Sequence, residues 1–308
     1  MPKKFLIIIP VRLASTRLPN KPLADILGKS MIQRVYEKAV KANIGEVLIA
    51  CDGKEIADEV EKFGGKYVIT DPDLPSGTDR IYAAFKEASK DENYDAILNL
   101  QGDLPNIDPN AIKAAANVLT DDFDIATIAS KIKNKNEIQN PNVVKIAIAF
   151  ADKENTQGNA LYFSRCPIPY SKNLGSAPIW KHHYFKFGVL HFLVNFGLFL
   201  QKFLQNMTIF IRNFYKKRSK FPQKLKQTKS GQNLDQDYFH HIGIYAYSKK
   251  SLEKFVALPQ SNLEKQESLE QLRALENNMK IAVKIVDTHP LSVDTQEDLE
   301  EVKRQIKN

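Results

Sequence analysis

Cysteine, tryptophan and long apolar runs are what this chain has least of. Among 308 residues, two are cysteine and one is tryptophan. Two cysteines, Cys51 and Cys166, cannot build a disulfide framework, and both fall where strands are expected to end, so a reduced, cytoplasmic setting is the expectation. The apolar stretch behind MPKK is five or six residues long before Arg12 interrupts it, too short for the core of a secretory leader. The uncharged stretch Phe187 to Gln201 has 15 residues, contains His191 and Asn195, and falls short of the roughly 20 that cross a bilayer. Acids are missing altogether from Leu174 to Leu234, where 11 Lys and Arg stand unopposed, while the rest of the chain sets 33 basic residues against 36 acidic ones. The net charge of +8 therefore belongs to one segment, and a basic face spread over the whole protein is excluded.

What the chain does have is 43% hydrophobic content, enough for a full core. Up to about Ser130, short β-branched runs alternate with amphipathic stretches. FLIII (Phe5 to Ile9), EVLIA (Glu46 to Ala50), KYVIT (Lys66 to Thr70), DAILNL (Asp95 to Leu100) and DIATIA (Asp124 to Ala129) read as strands. Most lack polar alternation, as strands covered on both faces do. Helices are expected at about Ser30 to Ala42, Lys54 to Phe63, Thr78 to Ser89 and Pro109 to Leu119. The class is α/β, with a mixed, mostly parallel sheet flanked by helices. Beyond Asn142, VVKIAIAF, ALYFSR, HIGIYAY and IAVKIV read as further strands, with helices at about Lys249 to Ala257, Glu267 to Glu276 and Gln296 to Lys307.

Leu174 to Leu234 resembles neither neighbour. It holds 12 of the 29 aromatic residues and ends in KKRSK and KLKQTK. Residues 1–308 are expected to form a single domain, with 174–234 as an atypical insertion. Phe185, Phe192, Phe196, Phe199, Phe203 and Phe210 recur at near-helical spacing ahead of KKRSK, a pattern shared with interfacial helices, so contact with a membrane surface stays open beside a tolerated surface insertion. No recognised nucleic-acid module surrounds these residues, and nucleic acid is not an expected partner.

Four patterns carry chemistry. IPVRLASTRLPNKPL (Ile9 to Leu23) leaves the first strand as a loop bearing Arg12, Arg17 and Lys21, stiffened by Pro19 and Pro22. Cations at the carboxyl end of a first parallel strand sit where such sheets bind ligands, and three of them suit a triphosphate; solvated surface cations are the plainer alternative. SGTDR (Ser76 to Arg80) opens a helix, where Ser76 or Thr78 serves as an N-cap and a helix N-terminus can meet an anion. LQGDLP (Leu100 to Pro105) places Asp103 at the sheet's carboxyl edge, suited to Mg²⁺, which takes one or two carboxylates plus phosphate oxygens, or serving as a turn acid that caps the helix after Pro105. VDTQEDL (Val293 to Leu299) offers Asp294 as a second carboxylate, or as the N-cap of the last helix in a box with Glu297.

The order Arg12, Ser15, Thr16, Arg17, Leu18, Pro19, Lys21, Pro22 resembles the signature of the 3-deoxy-manno-octulosonate cytidylyltransferases, the CMP-Kdo synthetases. The resemblance covers Lys3 to about Asn173 and about Asp237 to the end of the chain. It implies the nucleotide-diphospho-sugar transferase fold, a Rossmann-like arrangement, and a reaction of CTP with Kdo giving CMP-Kdo and pyrophosphate. It implies Arg12, Arg17 and Lys21 as catalytic phosphate ligands, Ser76, Arg80 and Gln101 at the nucleotide, and Asp103 and Asp294 as ligands of a magnesium cofactor. HIGIYAY and ESLEQLRALE resemble the family's sugar-side motifs, implying His241, Tyr245, Glu270 and Gln271 around Kdo, with Arg165 of FSR at its carboxylate. A homodimer is the implied assembly. Val11, Asn20, Leu104 and Gln296 stand where the pattern has Ala, Gly, Glu and Pro; the first two changes remove no charge. An acylneuraminate cytidylyltransferase shares the same logic, and a membrane-surface protein inactivated by its insertion is the reading from another class.

Overall fold

The computed structural model of the protein describes residues 3–15, 17–90, 92–170 and 237–307. The segment expected as an insertion at 174–234, with its membrane-surface reading, lies outside the described residues.

The strands are β1 (Phe5–Pro10), β2 (Asp25–Ile26), β3 (Lys29–Ser30), β4 (Gly45–Cys51), β5 (Lys66–Ile69), β6 (Ala96–Leu100), β7 (Ile125–Lys131), β8 (Lys145–Phe150), β9 (Gln157–Ser164), β10 (Phe239–Ser248) and β11 (Ile281–Val286). The α-helices are α1 (Met31–Ala42), α2 (Lys54–Lys62), α3 (Gly77–Ala88), α4 (Pro109–Asn117), α5 (Lys135–Ile138), α6 (Lys249–Ala257), α7 (Asn262–Glu267), α8 (Leu272–Glu276) and α9 (Gln296–Lys307).

Nine strands form one sheet in the order β5-β4-β1-β6-β10-β7-β11-β9-β8, and β2 pairs with β3 in a small hairpin. The parallel pairing expected from the alternating pattern holds from β5 through β6. There β10 enters, antiparallel to both β6 and β7, while β11 runs parallel to β7 and β9 and β8 finish the sheet antiparallel.

Continuous apolar strands follow from helices on both faces. Ile7, Ile9, Val47, Ile49, Leu98, Ile242 and Ile244 face one cluster with residues of α1, α2 and α4. Leu6, Ile8, Leu48, Ile97 and Tyr247 face the other, with residues of α3, α6 and α8. Each of the Ile and Leu side chains removed from water contributes about 1.5–3 kcal/mol, so the two-faced strands supply much of the folding drive. A third cluster joins Leu18, Ile26 and Met31 to Val293, Leu299 and Val302, which docks the chain's last helix beside the loop after β1.

One helix over Glu267 to Glu276 is not formed. Ser268 takes φ 53° as the C-cap of α7, and α8 starts only at Leu272. Helical spacing ran through the break because Leu269 and Leu272 still pack on the same cluster. The break is held by Arg273, whose Nε and Nη2 donate to the two Glu264 carboxylate oxygens at 2.9 and 2.6 Å.

Candidate active site

The loop leaving β1 is tied down where it leaves the strand. The Val11 N–H donates to the Ala50 carbonyl at 2.9 Å, and the Leu13 N–H lies 3.2 Å from both Asp52 carboxylate oxygens. Asn20 has φ 54°, a left-handed conformation that Gly adopts freely and Asn tolerates better than most residues, which explains how Asn can stand at this position. A 3₁₀ turn over Lys21–Leu23 with buried Pro22 completes the bend. Arg12 is exposed on the cleft side and makes no ion pair among the described residues.

Lys21 is the centre of the charge arrangement. Its Nζ donates to Asp103 Oδ2 at 2.8 Å and to Asp294 Oδ1 at 3.0 Å, while Arg17 Nη2 lies 3.1 Å from Asp294 Oδ2. Burial pulls the Lys21 ammonium pKa down, but the two carboxylates outweigh it and leave the pKa raised. The last helix is capped without Asp294. Thr295 Oγ1 accepts the Asp298 N–H at 3.2 Å, and Asp298 Oδ2 accepts the N–H groups of Thr295 and Asp294 at 2.9 and 3.0 Å. The expected box with Glu297 is therefore replaced by one with Asp298, and the Asp294 carboxylate is left for the cations.

Gly102 permits the close approach that aims Asp103. A Cβ there would lie 2.4 Å from Val11 Cγ1 and 3.2 Å from the Pro10 carbonyl oxygen. Leu104 is buried in the core beside Ile107, which accounts for an apolar residue at this position. Gln101 donates through Nε2 to Asn99 Oδ1 at 3.0 Å and borders the cleft.

Ser76 caps α3, as the sequence allowed, accepting the Asp79 N–H at 3.2 Å. Its hydroxyl also lies 2.8 Å from Glu270 Oε1, and Thr78 Oγ1 donates to Glu270 Oε2 at 2.8 Å. Arg80 reaches the cleft wall, yet it is 3% exposed and donates to Thr70 Oγ1 and the Pro72 carbonyl, so its guanidinium braces the segment before α3. Burial raises the Glu270 pKa against the opposing pull of the two hydroxyls and Arg273.

The remaining sugar-side residues are less open. His241 Nε2 lies 3.0 Å from Thr127 Oγ1, which itself donates to the Ile244 carbonyl at 2.7 Å, so the pairing calls for a proton on Nε2. Burial, then His240, push the His241 imidazole down to about 3, and the ring is neutral. It lies edge-on to Phe163 and 5.3 Å from the ring of Tyr245, whose phenol burial holds well above its usual value. A register shift in β10 between Ile242 and Tyr245 separates these two rings. Gln271 is buried at the start of α8. Arg165 donates to the carbonyls of Glu267, Pro141 and Ser268 at 2.8, 3.0 and 3.2 Å, which binds the α7 break to β9.

A cleft of about 730 Å³ runs between these elements, bordered by Arg12, Ser15, Arg17, Lys21, Ser76, Arg80, Gln101, Asp103 and Asp294. His241, Tyr245, Glu270, Gln271 and Arg165 are not on its wall. Among the described residues no group of three or more His, Cys, Asp or Glu side chains is placed to hold a metal. Two carboxylates converging on one cation still match Mg²⁺, whose remaining positions go to phosphate and water. Residues that the sequence patterns did not single out are Asp52, Thr70 and Asp298, and Thr78, considered there only as an N-cap, instead holds Glu270. Asp52 directly follows β4, and the rule that sites lie past strand carboxyl ends points to it.

Comparison with known proteins agrees with this geometry. A family model described as cytidylyltransferase matches residues 6–281. A 3-deoxy-manno-octulosonate cytidylyltransferase of Paramagnetospirillum magneticum is 39% identical over 303 residues, 98% of this chain and 97% of the relative. One of Bartonella tribocorum is 41% identical over 300 residues, 97% of each. The structure of CMP:2-keto-3-deoxy-manno-octonic acid synthetase complexed with CTP superposes with a TM-score of 0.71 at 32% identity, covering 99% of this chain and 98% of that one. The 4-diphosphocytidyl-2C-methyl-D-erythritol synthase of Anaerococcus prevotii, 13% identical with a TM-score of 0.50, shares the fold. The cleft built on a basic loop and two aspartates, and relatives aligned over nearly the whole length, place this chain in the cytidylyltransferase family, among the 3-deoxy-manno-octulosonate cytidylyltransferases.

Proposed function

We propose that this protein transfers a cytidylyl group from CTP to Kdo, giving CMP-Kdo and pyrophosphate for lipopolysaccharide synthesis. The observation that carries the reading is Lys21 held between Asp103 and Asp294 on a cleft edged by Arg12 and Arg17, in a chain whose relatives bear that name. The anomeric oxygen of the sugar bonds to the α-phosphorus of CTP as the bond to pyrophosphate breaks. Pyrophosphate leaves with the negative charge, and the hydroxyl proton passes to water.

Arg12, Arg17 and Lys21 neutralise the triphosphate, which lets an anionic sugar approach and stabilises charge on the leaving group. The tied loop keeps those cations in place before the substrate arrives, so little ordering is left for the binding step. Gln101 and the backbone around Ser76 border the nucleotide end of the cleft. Asp103 and Asp294 would hold Mg²⁺. Bound there, it supplies positive charge to the phosphates and lowers the pKa of an oxygen it touches. Glu270, Gln271, His241 and Tyr245 form the sugar side behind Ser76, reached through Glu270. A homodimeric, cytoplasmic enzyme completes the reading.

The test is pyrophosphate release by the full-length protein with CTP and Mg²⁺, offered Kdo or N-acetylneuraminate, with an Asp103→Asn variant alongside. Release with Kdo alone, lost in the variant, supports the reading. Release with N-acetylneuraminate alone moves the substrate, and silence with both overturns the activity. Light scattering of the same sample reads the subunit number.

A further inference from the structure

Ser76 Oγ carries one proton and sits between two carboxyl groups. Asp79 Oδ2 is 2.7 Å away and Glu270 Oε1 is 2.8 Å away, and the same oxygen accepts the Asp79 N–H. A single hydroxyl proton can serve only one of the two carboxyl oxygens. The other contact is then two bare oxygens at hydrogen-bond distance, repulsive unless one carboxyl is itself protonated. Thr78 Oγ1 donates to Glu270 Oε2, so the second Glu270 oxygen is an acceptor already in use. All contacts are satisfied when one carboxyl carries a proton toward Ser76 Oγ and Ser76 donates to the other, with Thr78 donating to Glu270 Oε2; the burial of Glu270 favours the proton on Glu270 Oε1 and the Ser76 hydroxyl turned to Asp79 Oδ2.

We propose that Asp79 and Glu270 hold one proton between them through the Ser76 hydroxyl, so that the pair is a monoanion, with Thr78 fixing the orientation of Glu270 toward the acceptor. The inference rests on the placement of Glu270 on the sugar side under the proposed function. Its consequence is electrostatic. The acceptor is a sugar acid, and two full negative charges at the sugar end of the site would repel its carboxylate. A monoanionic pair halves that repulsion.

The surroundings agree. Among the described residues Arg273 on α8 forms an ion pair with Glu270, with Nη2 3.7 Å from Glu270 Oε1, but its fork is engaged by Glu264 at 2.6 and 2.9 Å. From β10, Tyr245 and Tyr247 face Glu270, both with phenols raised by burial and therefore neutral. From α3, Asp79 is the charged neighbour. Burial accordingly raises the Glu270 pKa.

Two measurements test the pair. Infrared difference spectra of the ligand-free protein, titrated upward from the ordinary carboxylate range, should contain a protonated-carboxyl band that persists above that range and is absent in Glu270→Gln. In steady-state assays the KM for Kdo should rise with pH once the shared proton leaves, approaching about tenfold per pH unit for one proton, with the KM for CTP flat. Glu270→Gln should lose that limb, Asp79→Asn should move it to lower pH, and Thr78→Val should raise the Kdo KM while Thr78→Ser restores it. A band lost within the ordinary range, or a Kdo KM with the same pH dependence in Glu270→Gln as in wild type, overturns the proposal. A wild-type protein inactive at every pH would sink the proposed function instead, and the infrared titration, which needs no substrate, would still decide the proton sharing.

Discussion

The Val293 N–H donates to the Asp103 carbonyl at 3.0 Å. This bond joins the loop after β6 to the approach of α9, the two segments whose carboxylates both meet the Lys21 ammonium. Asp103→Asn and Asp294→Asn each remove one of the two carboxylates proposed to hold Mg²⁺, without changing shape. Each is expected to lower kcat/KM by about 100-fold or more, exceeding what second-layer substitutions at metal sites cost. Steady-state pyrophosphate assays at saturating Mg²⁺ check this, and a loss under threefold in either variant would contradict the shared role.

Lys21 contacts both carboxylates where the proposed Mg²⁺ would be held. Lys21→Met is expected to cut turnover by about 100-fold, the scale for one lost transition-state charge partner. In the absence of nucleotide it should also bind Mn²⁺ several-fold more tightly than wild type, because two carboxylates have lost their internal cation. Paramagnetic relaxation of water protons reads the Mn²⁺ affinity. Weaker Mn²⁺ binding in the variant would mean the carboxylates do not act as a pair.

Gly102 meets Val11, and the contact is a packing constraint as well as a functional one. Gly102→Ala places a methyl 2.4 Å from Val11 Cγ1, and overpacking of this kind costs about 1–3 kcal/mol. Adding Val11→Ala removes the Val11 Cγ1 contact and should recover part of the loss. Urea denaturation of both single variants and the double variant gives the coupling, and additive losses would show that the two side chains do not meet.

The buried pair Arg273 and Glu264, side chains 6% and 7% exposed, carries a pH signature. Burial raises the Glu264 pKa, but Arg273 and the Ser261 N–H outweigh it and leave it below its usual value. The folded pKa is thus lower than the unfolded one, so the stabilisation is present above the ordinary carboxylate range and lost as pH falls through the folded value. Arg273→Met is expected to cost about 3–5 kcal/mol at neutral pH by stranding a buried carboxylate, with the loss shrinking in acid. Arg273→Met with Glu264→Gln should recover much of it. Thermal unfolding from about pH 7 to pH 3 follows the effect, and a variant Tm deficit that stays constant over that span would count against it.

Much of the architecture was legible because it rests on local rules. The runs around Ile7, Ile49 and Leu98 are apolar at successive positions, and only strands covered on both faces bury such runs. The position of Arg12, Arg17, Lys21 and Asp103 past strand carboxyl ends was readable for the same reason. The break at Ser268 was not, since Leu269 and Leu272 keep helical spacing across it, and a left-handed serine leaves no mark in composition. Nor was the commitment of Arg165 to three carbonyls, or of Arg80 to Thr70, because a cation in a motif reads alike whether it faces substrate or backbone.

By itself the amino-acid sequence determined the strands of the large sheet and most of the helices, the stiff basic loop and the family resemblance, since periodicity and proline placement act over a few residues. Only the tertiary structure decided that Thr295 and Asp298 cap the last helix and release Asp294, that Lys21 stands between two aspartates, and that Ser76 and Thr78 grip Glu270. Those contacts join residues far apart along the chain, and a hydrogen bond or ion pair of that kind depends on where packing brings two groups, which no local pattern records.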